Sequence, residues 1–171
     1  MSLATGRIYR GDVLAATGNL RGALDDYRKG IATLESSAEN ADVLTRCILA
    51  TGYVKLGRAL IEAGQAQGAS IAYHKSLALM EPLVWEHPDE APARYVLTDG
   101  YSGLREFSDR LERWQEAKSR QERSLDAWQR ISNPGPFSPL GFACGKANAI
   151  QQQIDMCNAV LARLHGKVSE P

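Results

Sequence analysis

The sequence predicts an all-α fold of about seven helices, organised as repeated helical hairpins. Three observations predict it. No stretch alternates apolar and polar residues for long enough to suggest a sheet. Apolar residues recur three and four places apart, as at Val43, Leu44, Cys47, Ile48, Val54, Leu60 and Ile61, which gathers them on one face of a helix. Finally, three stretches of the chain align with one another at a nearly constant interval.

The elements follow from the breaks between them. "TGN" at 17–19 separates a helix over about 3–17 from one over 19–37. "SAENAD" at 37–42 leads into a helix over 41–63, with Asp42 as its expected cap. "AGQ" at 63–65 is the turn into a helix over 66–86, which Pro82 should either kink or end. "EHPDEAP" at 86–92 offers Asp89 as a cap and places Pro92 in a first turn, where its missing N–H does little harm. It opens a helix over 90–111, and "LERW" at 111–114 leads to the next, over 113–131. After "NPGPFSP" at 133–139, a last helix runs over 143–165, with 166–171 left as a flexible tail. The expectation is a single domain over 3–165, with units at 3–37, 41–86 and 90–131 and a capping helix at 143–165.

The repeat is visible when "RIYRGDVLAATGNLRGALDDYRKGIATL", "YVKLGRALIEAGQAQGASIAYHKSLALM" and "YSGLREFSDRLERWQEAKSRQERSLDAW" are superposed from Arg7, Tyr53 and Tyr101. Gly11 then matches Gly57, Gly18 matches Gly64, and Tyr27 matches Tyr73. Ala23, Ala69 and Ala117 coincide, as do Gly30, Ser76 and Ser124. Gly18 and Gly64 are 46 residues apart, and Ala69 and Ala117 are 48 apart. A glycine inside a helix costs up to about 1 kcal/mol relative to alanine. Gly11 and Gly57 are therefore expected to serve close helix packing rather than to cradle a phosphate. Gly64 is expected to end its helix in the left-handed conformation.

The second stretch resembles the tetratricopeptide (TPR) pattern. Tyr53 stands for its Trp, Leu56-Gly57 for its Leu-Gly, Leu60 for its Tyr, and Ala69 with Tyr73 for its Ala-x3-Phe. The first stretch has Arg7 and Arg10 at two of these places, and the third has Arg105, Ser108, Glu112 and Gln121 at four. TPR units run about 34 residues, so these units resemble a variant with each helix longer by about two turns. That variant is similar to the repeat arrays at the C-terminal end of bacterial serine/threonine kinases and related signalling proteins. The chain carries no HRD, no DFG and no glycine-rich loop before a strand lysine, so a kinase domain would lie outside it. The resemblance implies a TPR-like solenoid of three helix pairs and a capping helix. The expected function is non-catalytic binding of a peptide segment or partner domain on a concave face.

Carried over by register, that face comprises Asp12, Thr51, Val54, Arg58, Ile61, Glu62, Ser102, Glu106, Asp109 and Arg110, with Thr5, Ile8, Ala15, Ala16 and Asp99 beside them. The mixture of small, apolar and charged groups suits an extended peptide held by a few pockets. The alternative is a dimerisation or regulatory module of a larger signalling protein, the last helix pairing with its copy through its outer face.

Composition sets the remaining expectations. The 171 residues carry 20 Lys and Arg against 20 Asp and Glu, so no basic footprint for nucleic acid or an anionic membrane is present. No apolar run approaches the roughly 20 residues that span a bilayer. "MSLATGRIYRGD" has no signal-peptide core. A cytoplasmic location is expected. Met1-Ser2-Leu3 reads as a cloning remnant, which would make the chain an excised fragment.

No catalytic residue, cofactor or metal is expected. Cys47, Cys144 and Cys157 are widely spaced and form no CxxC, so all three read as small core or interface residues. "GFACGKA" at 141–147 is one residue short of a P-loop, has Ala147 in place of the magnesium-binding hydroxyl, and follows no strand. His74, His87 and His165 lack metal spacing, and Asp25, Asp26 and Glu62 read as solvated acids rather than an acid/base pair. Trp114 and Trp128 are expected in the core. Trp85 reads either as a cap on the core beneath the interhelix turn or as a partly exposed aromatic.

Overall fold

A computed structural model of the chain describes residues 3–36, 41–87, 90–110, 114–132 and 147–169. Among these residues it is all-helical and has no strand. Seven helices are present: α1 Leu3–Ala16, α2 Leu20–Glu35, α3 Val43–Glu62, α4 Ala66–Glu86, α5 Ala91–Arg110, α6 Trp114–Ser132 and α7 Ala147–Ser169. The expected bounds of α1 to α6 lie within two residues of these, whereas α7 runs four residues further than 165. Pro82 stands inside α4 and does not end it. Asp89, Cys144 and the "GFACG" stretch lie outside the described residues.

The helix ends have chemical causes. The Asn19 and Asp42 side chains accept hydrogen bonds from the backbone N–H groups of Gly22 at 3.0 Å and Thr45 at 2.8 Å, satisfying donors that the first turn leaves orphaned. At the other end, Gly18 and Gly64 take φ of 81° and 71°, a region where glycine alone escapes a β-carbon penalty. The closing bonds are the same in both: Gly18 N to Ala15 O and Asn19 N to Leu14 O, then Gly64 N to Ile61 O and Gln65 N to Leu60 O. This paired pattern satisfies the last carbonyls of α1 and α3.

The chain divides into two compact units, Met1–Met80 and Glu81–Pro171, and the division falls inside α4. In the first unit, α1 packs on α2, and α3 packs on both. A β-carbon placed on Gly11 would lie 2.6 Å from the Tyr27 ring, and one on Gly57 would lie 2.8 Å from the Tyr73 ring. Each glycine thus makes room for a tyrosine of the partner helix. Gly30 of α2 lies against the α1 backbone, where a β-carbon would lie 3.0 Å from the Ala4 carbonyl oxygen. An ion pair between a buried acid and a largely exposed arginine accompanies this packing. Asp26 of α2 accepts from Nε and Nη2 of Arg10, a two-pronged geometry that suits the guanidinium fork.

In the second unit, α5 packs on α6, and α6 on α7. Trp128, Ile154 and Cys157 form a core cluster with Leu125 against it. The Trp128 ring meets Tyr95 edge-on at 5.4 Å. The α5–α6 hairpin has an unusually polar interior: Thr98, Ser108, Gln121 and Ser124 are buried. By register their counterparts in α3 and α4 are Ala50, Leu60, Tyr73 and Ser76. Ser108 Oγ and Gln121 Oε1 meet no hydrogen-bond partner among the described residues. The Ser124 hydroxyl lies 3.8 Å from Cys157 Sγ, and burial pushes that thiol's pKa up.

Candidate functional site

One polar arrangement occurs in both units and frames the candidate site. In the first unit, the hydroxyl of Tyr53 on α3 donates to Glu35 at the end of α2. Lys75 of α4 donates to both groups, at 3.1 Å to Glu35 and 3.2 Å to the phenol oxygen, and its Nζ rides 5.1 Å above the Tyr53 ring. In the second unit, Tyr101 on α5 donates to Glu81 at 2.6 Å, and the Arg123 guanidinium of α6 lies 5.9 Å over the Tyr101 ring. Each trio joins a carboxylate, a phenol and a cation from three helices.

Electrostatics follow from this geometry. Burial, reinforced by the bond to Glu81, pushes the Tyr101 pKa up to about 12. Tyr53 is raised by burial and by Glu35. Glu35 is held below its ordinary value, first by the Tyr53 hydrogen bond and then by Lys75. Both phenols therefore remain neutral donors at physiological pH.

Around the second trio a cavity of about 590 Å³ opens between the end of α4, α5 and α6. Its lining is mixed. Glu81, Glu122 and Asp126 supply carboxylates, Arg94 and Arg123 guanidiniums, Tyr101 and Ser119 hydroxyls, and Val84, Leu97 and Ala127 apolar surface. The volume falls in the range of ordinary ligand pockets. Arg94 is buried. None of the charged residues here stood among those the sequence singled out. A signal was nevertheless present, because Glu35, Arg46, Tyr53 and Lys75 have Glu81, Arg94, Tyr101 and Arg123 as their equivalents 46 or 48 residues on.

The residues expected on a concave face have varied surroundings. Asp12 accepts from the Tyr27 hydroxyl at 2.9 Å and from Lys55 Nζ at 2.6 Å, tying α1 to α2 and α3. Its demand for a donor also raises the Tyr27 pKa, after burial. Thr51 donates back to the Cys47 carbonyl at 2.8 Å. Val54 is 1% exposed and belongs to the core, a correction to its placement on a binding face. It occupies the register of Ile8, which is buried as well. Arg58 and Glu62 are exposed, and Ile61 and Glu106 half-buried. Ser102 lies 3.3 Å, hydroxyl to hydroxyl, from Ser124. The side chains of Asp109 and Arg110 lie outside the described residues.

Among the other singled-out residues, Cys47 and Cys157 are buried free thiols. His74, His87 and His165 are exposed, and His74 Nδ1 lies 2.8 Å from the Ser70 carbonyl. Trp128 is buried, as expected, whereas the Trp114 side chain lies outside the described residues. Trp85 is 85% exposed, which overturns its reading as a core cap. Asp26 is buried and paired with Arg10, which corrects its reading as a solvated acid. No group of three or more His, Cys, Asp or Glu among the described residues is placed to hold a metal ion. No described helix is long and apolar enough to cross a membrane. In comparisons with known proteins, the chain matches no family model and no curated protein.

Proposed function

We propose that the chain is a non-catalytic protein-interaction scaffold of TPR-like hairpins that holds a peptide segment or a partner domain. The observation that carries this reading is the α4–α5–α6 cavity, with hydrogen-bonding groups of both charges set beside apolar surface. An extended peptide presents the complementary mixture: backbone donors and acceptors plus alternating side chains. The framework around the cavity is held by Glu81, Tyr101 and Arg123, so little ordering cost remains for binding. Exposed Arg58 and Glu62 on α3 remain a secondary contact surface. A cytoplasmic setting, and a role beside the signalling domains that related arrays accompany, belong to the same proposal.

Peptide-display selection on the purified chain tests it. Enriched peptides should bind wild type and be released by Ser119→Trp, which fills the mouth of the cavity from an exposed position. Failure to enrich any peptide, or enrichment indifferent to Ser119→Trp, overturns the assignment.

A second reading, self-association as part of a larger regulatory protein, is favoured by one observation. Trp85 and Met156 are large apolar side chains left exposed, at 85% and 59%. Light scattering decides: a dimer that Trp85→Ser or Met156→Ser dissociates supports it, and a concentration-independent monomer removes it.

A further inference from the structure

We propose that the outward face of α1 docks an amphipathic helix of a partner protein, one that carries an aliphatic residue followed four places later by a carboxylate. The argument comes from what covers the same face of α3. Leu3, Gly6, Arg7, Arg10 and Val13 recur at three- and four-residue spacing, which puts them on one face of α1. Their counterparts 46 residues on are Leu49, Gly52, Tyr53, Leu56 and Ala59, and all five are buried. On α1 the face is open: Leu3 and Val13 are 72% and 62% exposed. Packing inside the hairpin does not account for the difference, because Gly11 receives Tyr27 as Gly57 receives Tyr73. The difference is α2, which packs on α3. Among the described residues no helix takes that place on α1.

Two contacts define how α2 sits on α3. Ile31 lies against Gly52, where a β-carbon would be 3.1 Å from its Cγ1. Glu35, four residues on, accepts from the Tyr53 hydroxyl. The receiving half of both contacts is repeated on α1. A β-carbon on Gly6 would meet nothing within 4 Å, so the notch that takes Ile31 on α3 stands open here. A glycine inside a helix is less stable than an alanine, and no described atom packs against this one; a side chain from outside gives it a use. Arg7 stands at the register of Tyr53, and a guanidinium takes a carboxylate as the phenol does, through a stronger, charge-assisted bond.

Charge and area choose the occupant. Arg7 and Arg10 make the face cationic, and the one acid of α1, Asp12, is engaged by Tyr27 and Lys55. A second α1 would bring like charge, whereas an acid-bearing helix is attracted. The face of this 14-residue helix is about 21 Å long and about 10 Å wide. That falls well below the about 800 Å² per partner of a stable dimer, and it fits the engagement of a single helix.

The test titrates the isotope-labelled chain with a peptide that copies residues 20–36 and is held helical by a lactam between its Asp25 and Lys29 side chains, an exposed pair four residues apart. The amides of residues 3–14 should move. The Ile31→Ser peptide should bind about tenfold more weakly, the Glu35→Lys peptide should lose affinity too, and raised salt should weaken the parent peptide. Gly6→Leu in the chain should abolish the response while circular dichroism shows an unchanged fold, since the new side chain projects into open space. Shifts confined to residues 43–62 would mean that the peptide has replaced the chain's own α2, and they overturn the proposal. So do binding that survives Gly6→Leu, equal binding of the Ile31→Ser peptide, and no binding at all. Movement of the same α1 amides on raising the chain concentration without peptide makes a second copy the occupant and overturns the choice of partner.

Discussion

The Tyr73 ring occupies the place where a side chain at residue 57 would begin: a β-carbon on Gly57 would lie 2.8 Å from it. Tyr73 is fully buried, so the ring has nowhere to move. Tyr27 stands in the same relation to Gly11.

Gly57→Ala should therefore destabilise the chain. Overpacking of this kind costs about 1–3 kcal/mol, and the gain in helix propensity returns about 1 kcal/mol. The expected net loss is up to about 2 kcal/mol by urea titration. In a Tyr73→Leu background the same substitution should cost less, because the colliding ring has gone. Equal costs in the two backgrounds would show that the collision is not the cause.

Acid should act through Asp26. Its pKa is lowered, chiefly by the hydrogen bonds from Arg10, against the opposing effect of burial. A depressed carboxylate stabilises the fold above its unfolded pKa of about 3.9 and loses that contribution as pH falls through the lower folded value. Arg10→Met should raise the Asp26 pKa and move the acid unfolding midpoint, followed by circular dichroism, to higher pH. An unmoved midpoint would mean that Asp26 does not depend on Arg10.

Alkali should act through the tyrosines. Tyr101 titrates near 12, raised by burial and by Glu81, whereas an unfolded tyrosine titrates near 10. A raised pKa contributes stability that is complete below the unfolded value and is lost as pH climbs through the folded one. Stability should thus decline between about pH 10 and 12, with Tyr27 and Tyr53, both also raised, acting in the same direction. Ultraviolet titration of Glu81→Gln should show one phenol ionising at lower pH than in wild type.

Ser108→Ala should stabilise the second unit. The hydroxyl is fully buried and meets no partner among the described residues, and such a group costs about 1–3 kcal/mol. A higher urea midpoint with an unchanged slope is the expected outcome. A lower midpoint would show that the hydroxyl is satisfied, by bound water for example.

The helices were legible in the sequence because their signals are local. Asp42 caps α3 and Gly64 closes it with the bonds that the glycine implies. The need for small residues at Gly11 and Gly57 was legible too, but the object they admit was not. The tyrosines sit 16 residues away on the partner helix, and only the folded hairpin brings ring and glycine together. The repeat register puts Val54 on a binding face, yet the side chain is buried, because register alone does not say which side of a lengthened helix is covered. The cavity was illegible for a related reason. Glu81, Tyr101 and Glu122 come from three helices, and Ser119 and Ala127 line the space between them. Trp85 has the opposite lesson: its size suggested burial, yet its position on α4 leaves it in solvent.

The Glu35–Tyr53–Lys75 trio bears on how the protein is made. Glu35 leaves the ribosome before the groups that satisfy it, which follow 18 and 40 residues later. At about 5–20 residues per second, the nascent α1–α2 hairpin waits seconds for its ammonium partner. Pauses that hold the ribosome after Glu35 has emerged and before Lys75 has would prolong that interval and leave a half-finished joint exposed to chaperones.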